Sequence, residues 1–255
     1  MTEPLYGLQI YTVREALAED FKGTLQRLHD LGIRHLEVFR GMPLPPEEAA
    51  AMMKDMGFTV STGHLPMLVG DDAEAGLATA KAFGVEAYII PWVPAENFAT
   101  VEAAKAFAAQ LNEGQKVAAD NGMSFGYHNH EFEFTKVDGD KTGYEVVVEE
   151  TNPSVLFELD TYWVQVGGLD PVELIGKLGA RVPYIHIKDG PADPSDRNAH
   201  MVAFGEGNMD VPGIVRASLA NNAKGIFVEL DHCATDMMEA VSKSWAYLKS
   251  EGFVS

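Results

Sequence analysis

Residues 30–38 read DLGIRHLEV: a helical pattern closes at Gly32 and a β-branched run follows at once. Glycine just past a helix end takes the left-handed conformation without a Cβ clash, so this junction marks a helix stop handing over to a strand. The same punctuation recurs in DMGFTVSTGH at Gly57, AFGVEAYIIP at Gly84, DNGMSFGYHN at Gly122, KLGARVPYIH at Gly179 and NAKGIFVELD at Gly225. In EETNPSVLFELD, Asn152 and Pro153 make the stop instead.

Together with the opening run LYGLQIYTV, these junctions predict eight strands, near residues 5–10, 33–38, 58–63, 85–91, 123–129, 154–160, 182–187 and 225–230, separated by seven helices. Helix starts agree: Asp20 is placed to cap a helix on which Phe21, Leu25, Leu28 and Leu31 recur, Pro45-Pro46-Glu47-Glu48 makes a favourable first turn, and Asp170-Pro171 opens another. Strict alternation implies a parallel sheet, and eight units in 255 residues favour a closed (β/α)8 TIM barrel, a single domain over 1–255. An open doubly wound sheet more often shows a glycine-rich phosphate loop after its first strand, and GLQIYTVRE is not one.

Lys plus Arg number 19 against 38 Asp plus Glu, a formal net charge of -19, so the long-range field repels nucleic acid and anionic membrane surfaces. The single cysteine, Cys233, excludes an internal disulfide and reads as a small buried residue. No leader pattern opens the sequence and no stretch approaches a membrane span, so the expectation is a soluble, cytoplasmic protein. The oligomeric state is open, with a homo-oligomer among the possibilities. The longest irregular stretch, 188–210, exceeds ordinary connection length and reads as a functional loop.

Active sites of such barrels lie at the C-terminal strand ends, so the polar residue closing each apolar run is informative. In order these are Gln9, Glu37, His64, Trp92, His128 with His130, Asp160, His186 with Lys188, and Glu229. Any one of them alone is more simply a loop-starting surface residue. The set is harder to explain that way: Asp160, His186 and Glu229 close adjacent strands and can converge on one ion. An oxygen-rich shell with one imidazole suits Mn2+ or Mg2+, with Zn2+, Co2+ and Fe2+ as alternatives; the competing explanation is a buried hydrogen-bond network. In YHNHEFEF, residues 127–134, alternation sends His128 and His130 to one face if the strand persists, whereas Glu131 and Glu133 need a turn first.

LGIRHLEVF, TGHLP, YHNHEFEF, LDTYWVQVGGLDP, HIKDG, GEGNMD and FVELDH, spread over nearly the whole chain, resemble the xylose isomerase-like barrels, often called sugar phosphate isomerase/epimerases, which include apurinic endonucleases and inosose dehydratases. The resemblance implies one divalent cation held by a Glu, an Asp, a His and a Glu from strands five to eight. Three carry over to Asp160, His186 and Glu229; for the strand-five ligand Glu133 is the first candidate and His128 the second. The DNA-repair branch places a histidine three residues after the strand-six Asp, where this chain has Trp163, which together with the acidic surface argues against a nuclease.

The resemblance further implies a small carbohydrate substrate and proton abstraction beside its carbonyl through a metal-stabilised enediolate, giving isomerisation or epimerisation. Candidate bases are Glu133, Glu229, His128 and His130. Lys188 is a candidate for oxyanion stabilisation or for protonating a leaving hydroxyl; its alternative role is a surface lysine paired with Asp189. Candidate substrate contacts are Glu37, His64, Trp92 and Trp163, with Arg197 and Glu206 from the loop after strand seven. No glycine-rich phosphate loop follows strands seven or eight, which favours an unphosphorylated substrate. Two alternatives stand beside the isomerase: a dehydratase or lyase on a keto-inositol or 3-keto-glycoside with the same site, and a non-catalytic barrel that binds sugar and metal.

Overall fold

A computed structural model describes residues 4–255; residues 1–3 lie outside it. All eight expected strands form: β1 (Leu5–Gln9), β2 (His35–Phe39), β3 (Thr59–His64), β4 (Ala87–Ile90), β5 (Ser124–His128), β6 (Val155–Asp160), β7 (Tyr184–Ile187) and β8 (Gly225–Val228). They pair in parallel, each with its sequence neighbours, and β8 pairs with β1 to close the barrel. A two-stranded hairpin, residues 136–138 with 141–142, sits in the β5–β6 connection.

The described residues contain ten α-helices: α1 (Arg14–Glu19), α2 (Phe21–Leu31), α3 (Pro46–Asp55), α4 (Ala73–Phe83), α5 (Val101–Asp120), α6 (Gly143–Glu150), α7 (Thr161–Val166), α8 (Pro171–Leu178), α9 (Val211–Ala220) and α10 (Met237–Ser250). More than seven arise for local reasons. Asp20 is extended, at φ -148°, and caps α2 through Gly23 N–H, which separates α1 from α2. Gly168, at φ +85°, separates α7 from α8, and α10 follows the last strand. Among the described residues no helix is long and apolar enough to cross a membrane.

Gly32 and Gly84 are left-handed helix caps as expected. Gly225 is not. Asn222 takes the positive φ, +59°, that ends α9, and Gly225 opens β8, where an added Cβ would lie 2.9 Å from Phe227 and 3.1 Å from Tyr184. Gly7 is crowded likewise, at 2.9 Å from the Phe227 ring and 2.7 Å from the His35 carbonyl. These glycines make room for Phe227, which with Ala87, Ile89, Tyr184 and Leu156 plugs the barrel floor. The larger apolar core lies between barrel and helices. Cys233, expected to be buried, is only half-buried, because it lies in the loop after β8 beside Thr235.

Candidate active site and metal centre

Above the Phe227 floor the inward face turns polar. On β6 the period of two points Leu156, Glu158 and Asp160 inward in succession. The register then sets the neighbours: Gln9 beside Glu37, His128 beside Glu158, and Asp160 beside His186. In the lower layer, His64 Nε2 lies 2.6 Å from Glu158 Oε2, and His186 Nε2 lies 2.6 Å from Glu37 Oε2. Gln9 donates to Glu37 at 2.9 Å. The three imidazoles of His64, His128 and His186 pack with centroids 4.7–5.2 Å apart.

The upper layer contains His128, Asp160, Glu229 and Lys188. Glu229 Oε2 lies 2.7 Å from His186 Nδ1, and His128 Nε2 lies 3.5 Å from Asp160 Oδ2. Lys188 is wholly buried, its Nζ 2.8 Å from Asp160, 3.0 Å from Glu229 and 2.7 Å from Asp231. It is not the surface partner of Asp189. That carboxylate instead accepts the backbone N–H groups of Gly190, Gly205, Gly207 and Met209 at 2.8–3.2 Å and folds the long loop around itself.

Two local devices fix Asp160. Its Oδ1 caps α7 by accepting Trp163 N–H at 3.0 Å, which leaves Oδ2 facing the barrel axis. Asn129, just beyond β5, accepts Asp160 N–H through Oδ1 and donates through Nδ2 to the Asp160 carbonyl.

Burial dominates the ionisation of the cluster, and neighbouring charges decide its sign. Burial opposes charge on His186 and His64, but Glu158, Glu37 and, for His186, Glu229 hold both above the usual histidine range. Burial holds His128 well below that range, and burial with the Lys188 charge lowers His130 to about 4. Asp160 is pushed up to about 6 by burial, an effect Lys188 partly offsets. Burial also opposes the charge on Lys188, but Asp160, Asp231 and Glu229 carry it well above its ordinary value.

Two sets of four side chains offer ligand atoms within 4.8 Å of one another: His64, His128, Glu158 and His186 below, and His128, Asp160, His186 and Glu229 above. Three buried atoms make no hydrogen bond although ionisable partners lie 2.6–3.5 Å away: His128 Nδ1 and His186 Nε2, which face Glu158 and Glu37 in the lower layer, and Asp160 Oδ2, which faces His128 and Lys188 in the upper. Close approach without hydrogen-bond geometry is what ligands of a shared cation show. The residues fit a divalent ion.

The structure brings Asp160, His186 and Glu229 together with His128. Glu133 stays outside: a 3-10 turn over residues 132–134 directs its carboxylate to Tyr127 Oη at 2.6 Å and His130 N–H at 2.9 Å. Glu37 is enclosed in the lower layer. His64, His128, His130 and Glu229 line a mouth cavity of about 370 Å3, with Asp231 and Trp92. Trp163 stands behind this cavity, its Nε1 donating to Asp231 at 3.2 Å. Arg197 reaches Glu131 at 2.9 Å and Glu206 pairs with Lys243 on α10 at 3.4 Å, and neither lines the cavity. Glu158 lies two residues before Asp160 inside its strand and Asp231 two residues after Glu229 beyond the last strand, positions that a polar residue closing an apolar run does not mark.

A closed parallel barrel with an ionisable cluster at its strand ends has the layout of a barrel enzyme. The chain belongs to the family described as xylose isomerase-like TIM barrel, whose model matches residues 25–250. It is 26% identical over 166 residues to an inosose dehydratase of Clostridium beijerinckii, covering 58% of this chain and 54% of that protein. The match thus spans about half the length of that curated relative. A crystal structure of a sugar phosphate isomerase/epimerase from Parabacteroides distasonis superposes with a TM-score of 0.84 at 25% identity, over 100% of this chain and 96% of the other. An L-ribulose 3-epimerase shares the fold, with a TM-score of 0.70 at 17% identity over 99% and 95% of the two chains.

Proposed function

We propose that the protein is a metal-dependent enzyme that moves a proton next to the carbonyl of a carbohydrate, as an isomerase or epimerase. The observation that carries this reading is the convergence of His128, Asp160, His186 and Glu229 beside a cavity large enough for a small ligand. These four are the proposed ligands, with His128 in the strand-five position. A divalent cation bound there supplies Lewis-acid polarisation of a carbonyl and its neighbouring hydroxyl. Two imidazoles in the donor set favour Mn2+, Fe2+, Co2+ or Zn2+ over Mg2+.

Of the candidate bases, Glu229, His128 and His130 line the cavity, and Glu133 does not. Glu229 is the proposed base, held in place by His186 and Lys188. His130, kept neutral by burial, has a buried Nδ1 without a partner and can accept from a substrate hydroxyl. Lys188 places a positive charge beside the ligand set, where it stabilises negative charge developing on the substrate.

An unphosphorylated substrate fits better than a phosphorylated one. Among the described residues lining the cavity the only guanidinium is Arg40, already paired with Asp72 at 2.9 Å, and Lys188 is held by three carboxylates.

Lys188 also supports a second reading, a dehydratase. After loss of the α-proton, a β-hydroxyl leaves with a proton from an acid, the Cβ–O bond breaks and a C=C bond forms. An ammonium beside the ligand set is placed to give that proton. Incubation of the metal-loaded protein with keto-sugars in D2O tests both. Deuterium uptake at the α-carbon without other change of formula is expected, and loss of water turns the assignment to dehydratase. No exchange across the panel overturns both.

A further inference from the structure

The mouth cavity has two chemically different ends. His64, His128, His130 and Glu229 form the inner end, and Tyr11, Phe39, Pro91 and Trp92 form the rim. Trp92 is 55% exposed and Tyr11 39%, large apolar surfaces to leave in water unless something covers them. Tyr11 is held in position: the Arg14 guanidinium lies over its ring at 4.2 Å and Phe39 meets it edge-on at 5.3 Å. Arg14 is itself tied to the carbonyls of Tyr11 and Asp231. The wall is therefore preset before a ligand arrives.

Past Phe39 and Arg40, which both cavities share, a second cavity of about 240 Å3 opens between α3 and α4. Met42, Leu44, Leu65 and Phe83 line it, and its charged groups, Arg40 and Asp72, are spent on each other. A second sugar ring pushed along this wall would face mainly apolar side chains, with Thr79, Arg40 and Asp72 its polar neighbours, whereas a flat apolar group matches most of the lining. Among the described residues that line this cavity, Arg40 is the only cation, and it faces Asp72.

We infer that the substrate is a keto-glycoside, with its carbonyl on the sugar ring at the polar inner end and an aromatic aglycone as its non-reacting part lying against Tyr11, Phe39 and Trp92. The placement of the sugar rests on the proposed function; the apolar character of the rim does not.

The test is calorimetric titration of the full-length, Mn2+-loaded protein with matched methyl and phenyl glycosides of glucose, galactose and xylose, and with cellobiose and lactose. At least one phenyl glycoside is expected to bind about tenfold more tightly than its methyl partner, as burial of one ring predicts. Trp92→Ala, an exposed position that does not threaten folding, is expected to bring the pair within about twofold, and Trp92→Phe to restore the gap. Equal binding of methyl and phenyl partners, disaccharides binding as well as phenyl glycosides, or no phenyl glycoside binding at millimolar concentration each overturns the inference. Deuterium exchange is read separately. Exchange without aglycone preference removes the inference alone, and aglycone preference without exchange removes the proposed reaction alone.

Discussion

Asn129 grips the backbone of Asp160 on both sides of its Cα from across the strand boundary, accepting its N–H at 3.0 Å and donating to its carbonyl at 3.2 Å. The amide does the work of one more rung of sheet where β5 has already ended, and so fixes the backbone that aims the Asp160 carboxylate. Asn129→Ala is expected to lower Mn2+ affinity about 10- to 100-fold, the usual effect of losing a group that orients a ligand. It should also cost about 1–3 kcal/mol in a urea melt, because two buried backbone groups lose their partners. Unchanged titration calorimetry would show that Asp160 is oriented without it.

Asp160→Asn and Glu133→Gln should separate cleanly. The first changes a group that faces the ligand set, the second a carboxyl turned toward Tyr127 and the His130 N–H. Metal analysis of the purified proteins is expected to show one divalent equivalent in the parent and in Glu133→Gln, and loss in Asp160→Asn. Metal lost from Glu133→Gln while its fold persists would return Glu133 to the ligand set.

His35 gives a pH dependence of known sign. It is buried near the barrel floor, its ring nitrogens 2.7 Å from Thr59 Oγ1 and 2.9 Å from Ser61 Oγ, and burial lowers its pKa to about 4. The unfolded chain takes up this proton near pH 6.5 and the folded chain does not, so stability is lost as pH falls from about 6.5 toward 4. The loss from this residue is about 3 kcal/mol. His35→Gln keeps a donor and an acceptor without the titration, and its urea stability should fall less over that window than the parent's.

Asp189→Ala removes the acceptor of four backbone N–H groups. The long loop should loosen: trypsin cleavage after Arg197 is expected to rise at least about tenfold, as a locally opened segment predicts. Urea stability should fall by about 2–5 kcal/mol. Asp189→Asn, which keeps one acceptor oxygen, should fall between. A loop equally resistant in Asp189→Ala would show that other contacts hold it.

The barrel was legible because its signals are local. Each junction is written in a few residues, and seven of them after an opening strand leave little choice of topology. Gly225 shows the limit: the sequence marks a glycine, but only the packed interior shows that it yields space to Phe227 rather than turning the chain. In the site, strand ends revealed Asp160, His186 and Glu229, whose inward direction follows from the period of two. The same period carried Glu158 and Asp231, two residues before Asp160 and two after Glu229, though nothing in the runs marked them. YHNHEFEF remained ambiguous because its outcome depends on where β5 stops. It ends at His128, so that histidine points inward, and the 3-10 turn beyond takes Glu133 behind His130.

The Phe227 plug makes the barrel a vessel with one opening. Among the described residues that floor leaves no rear exit, so in the proposed reaction substrate and product share one doorway, past Tyr11 and Trp92. Arrival of the next reactant must then wait for departure of the last, and a product that lingers at the aromatic rim blocks its own successor.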